Sequence, residues 1–199
     1  MAINLTKGQK IDLTKGNSGL SQIMVGLGWE PVAKKSKGFL GFGGGNTADF
    51  DCDASVLMLK GDLLASEQDV VSFRKLKSNC GSVRHSGDNL TGSGSGDDET
   101  IFVKLHEVPS HFNKLVFVVN IYNAALRRQD FGDIKNAFIR VVNPQTNEEL
   151  LRYNLSEDYS GKTALITGEI YRKDNEWKFG AVGTGTKDKS LEEIYKRYK

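Results

Sequence analysis

Lys114–Tyr122 reads KLVFVVNIY, and its pattern decides the fold class. Apolar residues stand at both parities of this run, so both of its faces must be covered. The segment is therefore expected to be a central strand with material packed above and below it.

Working outward, period-two alternation and short apolar runs predict further strands near Gln22–Trp29, Phe50–Leu59, Val70–Leu76 and Thr100–Glu107. Others follow near Ala137–Val142, Leu150–Leu155, Thr163–Tyr171 and Trp177–Gly183, the last two joined through the hairpin loop RKDNE. Glycine punctuates the chain, with 22 residues against three prolines. Helical signals are few. SLEEIYKRYK, 190–199, has Ser190 as N-cap, Glu192 and Glu193 in the first turn and basic residues in the last. YNAALRRQDFGDI holds at most one helical turn before Gly132. Many strands with glycine-rich turns predict an all-β fold, a β-sandwich of two mostly antiparallel sheets with a few short helices, one at the C-terminus. No composition shift divides the 199 residues, so one domain over 1–199 is expected.

A formal net charge of +2 with scattered lysines and arginines argues against a nucleic-acid binder. The densest basic groups, Arg74–Lys77 and Lys196–Lys199, read as solvated faces. MAINLTKGQKIDL has no apolar run of signal-peptide type, and no segment approaches the roughly 18 apolar residues of a membrane span. Cys52 and Cys80 lie far apart in sequence and form no CxxC pair. Together these features predict a cytoplasmic protein with reduced thiols in its core. One segment stands apart. AKKSKGFLGFGGGN, Ala33–Asn46, is a basic glycine-rich loop carrying Phe39, Leu40 and Phe42. It reads as a mobile surface loop, or as one that docks on an anionic membrane surface or a partner.

The chemistry concentrates in GDNLTGSGSGDDE, 87–99. Its carboxylates would repel a phosphate, and neither a P-loop nor a dinucleotide fingerprint is present. No GxSxG elbow or HExxH zinc motif occurs, and His85, His106 and His111 are scattered as surface or strand residues. Asp97-Asp98-Glu99 is too tightly spaced, and too poor in aromatics, for a glycosidase pair. A hard cation relieves the repulsion: calcium takes six to eight oxygens from carboxylates, carbonyls and water on backbone that can wrap it. Asp88 and Glu99 fall at the ends of an EF-hand-length window, yet Leu90 and Gly92 occupy ligand positions, so it is not an EF-hand. In DFDCDASVLML, alternation puts Phe50, Cys52 and Ala54 on one face and Asp51, Asp53 and Ser55 on the other. Asp51 and Asp53 are either a solvated strand end or a second source of carboxylates for a shared cation.

The stretches VGLGW, DFDCDASVLML, CGSVRHSGDNLTGSGSGDDE, KLVFVVNIYNA, NAFIRVVN, YNLSEDYS and EWKFGAVGTG, in this order from about Asn4 to Gly185, resemble the TerD family of bacterial tellurium-resistance and general-stress proteins. The resemblance implies a β-sandwich and the binding of one or two Ca2+ ions. It implies a metal site drawn from Asp51, Asp53, Asp88, Asn89, Asp97, Asp98 and Glu99, with carbonyls of Gly92–Gly96 completing the shell. Two features depart from the family pattern. The loop Gly38–Gly45 is longer than usual, and Cys52 stands where an aliphatic residue is expected. No catalytic residues and no small-molecule substrate are expected. The expected partners are other stress and tellurium-resistance proteins, at the inner membrane surface or in the cytoplasm, and no nucleic acid. Two other classes compete: a thiol-dependent metalloid or redox enzyme using Cys52 or Cys80, and an interaction module whose acidic loop binds a basic partner.

Overall fold

A computed structural model describes residues 2–17, 19–32, 50–87 and 96–199 of the chain. Its strands are β1 (Ile3–Leu5), β2 (Lys10–Asp12), β3 (Gln22–Pro31), β4 (Cys52–Leu59), β5 (Val70–Val71) and β6 (Val83–His85). They continue as β7 (Glu99–Lys104), β8 (Lys114–Ile121), β9 (Ile134–Asn143), β10 (Glu148–Asn154), β11 (Ala164–Lys173) and β12 (Glu176–Thr186). Two α-helices are short, α1 (Ala124–Arg127) and α2 (Leu191–Tyr195). The strands form two six-stranded sheets, ordered β1-β10-β9-β3-β7-β6 and β2-β12-β11-β8-β4-β5. Every pairing is antiparallel except that of β1 with β10. The all-β class, the two mostly antiparallel sheets and the C-terminal helix are as the sequence predicts.

β8 runs between β4 and β11, and its two parities pack against different partners. Leu115, Phe117, Val119 and Ile121 enter the core shared by the two sheets, beside Val25, Leu27, Ile101 and Ile139. Val116 and Val118 face the other way, where with Leu57 and Leu59 they pack beneath Ile194 and Tyr195 of α2. Burying each such side chain contributes about 1.5–3 kcal/mol. That double burial is why KLVFVVNIY lacks a polar face.

The C-terminal segment is tied over this outer face at several points. Ser190 caps α2, its Oγ accepting from the Glu193 N–H at 3.3 Å. Leu64 N–H donates to the Tyr198 carbonyl at 2.6 Å. Asp188 receives Arg197 through two nitrogens, at 2.6 and 3.0 Å, and the Thr186 hydroxyl at 2.6 Å. Burial works against the charge of Asp188, but Arg197 and Thr186 outweigh it and hold its carboxyl below the usual range. Of the two basic groups read as solvated faces, Arg74 pairs with Glu192 at 3.2 Å and Lys199 with Glu67 at 3.0 Å.

Several expectations are corrected. The strand expected over Val70–Leu76 stops at Val71, and a turn closed by the Ser72–Lys75 bridge follows. Thr100–Glu107 ends as a strand at Lys104 and continues as a 3-10 turn over Leu105–Glu107. Cys52 is buried as expected, whereas Cys80 is exposed and not a core residue. The loop 33–46, expected to be a mobile surface loop or a docking loop, lies outside the described residues.

Candidate functional site

Residues 87–99 connect β6 to β7, the edge hairpin of the first sheet. The described root of this connection is well fastened. Ser86 N–H donates to the Thr100 carbonyl at 2.9 Å, and Gly87 N–H donates to His85 Nδ1 at 3.0 Å. With Nδ1 accepting, the His85 ring carries its proton on Nε2, which lies 3.2 Å from both the Ala54 carbonyl and Glu99 Oε2. Asp88, Asn89 and residues 92–95 lie outside the described residues.

Three consecutive carboxylates then meet three different surroundings. Asp97 lies over β3 at Gly26, where a Cβ would collide with its carboxyl group. That clearance lets it reach Arg140 on β9, whose Nε and Nη2 donate to its two oxygens at 2.7 and 2.8 Å. Gly26 is the register partner of Arg140, so only a residue without a side chain leaves the path open. Asp98 Oδ2 accepts the Trp29 N–H at 2.7 Å. Burial pushes its pKa up to about 6; the Trp29 bond opposes this, and the charges of Asp97, Glu99 and Glu30 add to it. Glu99 turns inward between the sheets and is 1% exposed. Its Oε2 accepts the Ala54 N–H at 2.6 Å.

Ala54 lies on β4 beyond the reach of β5, which pairs only with Val56 and Leu57. Glu99 and His85, from the opposite sheet, thus serve Ala54's backbone where β5 does not. Glu99 Oε1 is buried and has no hydrogen-bond partner among the described residues. A carboxylate oxygen so placed is costly unless something positive answers it.

The DFDCD segment meets this root from the other sheet. Cys52 faces the shared core, and its thiol is pushed well up, first by burial and then by the charges of Asp53, Asp51, Glu99 and Asp98. Four carboxylates from two segments therefore act on one point. They do not all face the same way. Asp51 Oδ2 lies 3.3 Å from Arg127 Nη2. Asp53, 4% exposed, is not a solvated strand end: it stands on the outer face of the second sheet, opposite Asn120 of β8. Among the described residues no group of three or more His, Cys, Asp or Glu side chains is arranged to hold a metal ion. Sequence reasoning missed His85 and Arg140 as parts of this site. The only local signal was the position of His85 directly before SGDN, while Arg140 gave none.

A family model described as the TerD domain matches residues 1–198. The chain belongs to the TerD family. It is 57% identical over 198 residues to "Stress response protein SCP2" of Bacillus subtilis (strain 168), covering all of both chains. It is 50% identical to "General stress protein 16U" of the same organism, over 93% of this chain and 91% of the relative. It is 43% identical to "Tellurium resistance protein TerD" of Serratia marcescens, with the same coverage of each. Among solved structures, a TerD homologue from Streptomyces coelicolor A3(2), SCO6318, superposes with a TM-score of 0.62 at 21% identity, over 85% of this chain and 92% of that one. That likeness shows a shared fold. In this TerD-family chain, no helix among the described residues is long and apolar enough to cross a membrane.

Proposed function

We propose that this chain is a non-enzymatic, cytoplasmic stress-response protein that binds one or two calcium ions at the root of the β6–β7 connection. In this reading it contributes to resistance to tellurite and other stresses within an assembly of related proteins, in the cytoplasm or at the inner membrane surface. The observation that carries it is Glu99 Oε1, a buried carboxylate oxygen without a hydrogen-bond partner among the described residues. Around it, Asp98 sits where burial disfavours its charge, and Asp51 and Asp53 add to the negative field at Cys52. Hard oxygens in excess of available donors suit a hard cation.

Glu99 and Asp98 are the described residues that fit as ligands, with Asp88 and Asn89 assigned from sequence. Asp97 serves instead as a positioning residue, its two oxygens held by Arg140. Bound calcium would supply the positive charge that the cluster lacks. The chain's own contribution is to hold Glu99 on Ala54, Asp98 on Trp29 and Gly87 on His85, so that both ends of the connection are preset. A cation answered there gives an ordered state that a partner can recognise.

Calorimetric titration of chelator-stripped protein tests this. Saturable calcium binding is expected, weakened or abolished by combined Asp97→Ala and Asp98→Ala; no binding at millimolar calcium ends the proposal. One observation favours a second reading, a thiol-dependent one. Cys80 is exposed, and bonds from Ser78 and Ser82 outweigh its partial burial to lower its pKa. Cys80→Ser would then abolish tellurite survival, while unchanged survival removes that reading.

A further inference from the structure

The outer face of the second sheet is apolar along Leu57, Leu59, Val116 and Val118 but turns polar at one end. There Asp53, Ser55 and Asn120 line a cavity of about 100 Å³ closed on one side by the start of α2. Ser55 is 0% exposed and Asn120 6% exposed. Ser55 Oγ and Asn120 Oδ1 both lack a hydrogen-bond partner among the described residues, although buried hydroxyl and amide oxygens are almost always bonded. Ser55 and Asn120, which carry these two buried oxygens, line one cavity from adjacent strands, and this marks a place shaped for a ligand rather than for packing. Apolar residues would have served the fold better there, as they do further along the same face.

The wall chemistry says what kind of ligand. The floor is lined by oxygen-bearing side chains, the Asp53 carboxylate, the Asn120 amide and the Ser55 hydroxyl. An ammonium group gives the charge-assisted hydrogen bonds that such a floor favours over those of a neutral hydroxyl. Phe73 and Tyr122 also line the cavity, and each ring already carries an arginine, Arg74 at 5.3 Å and Arg127 at 5.5 Å from the ring centroid. The mouth has the opposite bias, with Arg74 and Lys189 against the single carboxylate of Glu192. A plain cation is repelled at that mouth, whereas a ligand with a trailing carboxylate is received there. The exposed Arg74–Glu192 bond of 3.2 Å is weak enough to be exchanged for such a carboxylate.

We propose that this cavity binds a small zwitterionic amino acid, ammonium end inward on Asp53, Ser55 and Asn120, carboxylate outward on Lys189 and Arg74. The ligand bridges the sheet to the C-terminal segment. This site is separate from the calcium reading, because its acceptors face outward from the second sheet while Glu99 lies between the sheets.

Amide-resolved NMR titration of the full chain with glycine, methylamine and acetate tests it. Glycine is expected to shift the amides of 53–55, 120 and 189–192 saturably at millimolar concentration. Methylamine should reach the same floor about tenfold more weakly, and acetate should not reach it. Asn120→Ala should remove the glycine response, with its ligand-free spectrum reporting whether it folds. Lys189→Ala, at the exposed mouth, should weaken glycine about tenfold and leave methylamine unchanged, which a merely structural role would not do. Absence of a saturable response to glycine overturns the proposal. So does a response of these amides to calcium or magnesium chloride alone that glycine does not compete with, which would make the cavity a metal site.

Discussion

Two clusters of buried oxygens flank β4, and they are provided for differently. At the 97–99 root, each carboxylate has a partner in the protein itself: Arg140 takes both oxygens of Asp97, Trp29 takes one oxygen of Asp98, and Ala54 takes one oxygen of Glu99. On the outer face, Ser55 Oγ and Asn120 Oδ1 have no partner among the described residues. The first cluster is an architectural joint in which the buried Glu99 Oε1 has no hydrogen-bond partner among the described residues. The second contributes little to holding the sandwich together and keeps its bonding capacity for something else. Acidic residues close in sequence thus need not act as one site.

The largest effect expected from breaking this contrast is at Arg140. Arg140→Ala leaves the Asp97 carboxylate, with its side chain 7% exposed, without its cation and should cost about 2–4 kcal/mol in chemical denaturation of calcium-free protein. Gly26→Ala should act in the same direction by displacing Asp97, and the two should be less than additive. The C-terminal tie ranks next. Asp188→Asn should cost about 1–2 kcal/mol at neutral pH. Because the folded-state pKa of Asp188 is depressed, its stabilisation is present above the ordinary carboxylate range and lost as pH falls through the folded value. The gap between wild type and variant should therefore close in acid, as denaturation midpoints at stepped pH will record. The smallest effect belongs to Ser55→Ala. Without ligand, removing a hydroxyl that has no hydrogen-bond partner among the described residues should change stability by less than about 1 kcal/mol. A cost as large as that at Arg140 would mean that the outer cluster is structural too.

Most of the fold was legible because it rests on patterns longer than a few residues. The alternation of Gln22–Trp29 and the two-faced run of Lys114–Tyr122 survive as β3 and β8. β1, β2 and β6 were missed because each spans three residues at or next to a sheet edge, too few for a period to show. Their pairing depends on strands distant in sequence, as for β2 with β12. The acidic site was half legible. Alternation correctly placed Asp53 and Ser55 on the face opposite Cys52, and Glu99 does meet the DFDCD strand, through Ala54. What no local pattern carries is direction and long-range capture. Arg140 lies 43 residues beyond the carboxylate that it binds, and Asn120 is hidden in a strand whose other residues after Lys114 are all apolar.

Crystals grown with and without calcium test the central claim, that the unanswered oxygen of Glu99 marks a cation site. The account predicts an ion within about 2.3–2.6 Å of Glu99 Oε1, with the Asp97–Arg140 pair intact in both forms. A calcium-grown structure with no ion at Glu99, or with the ion held by Asp97 after release of Arg140, would contradict it.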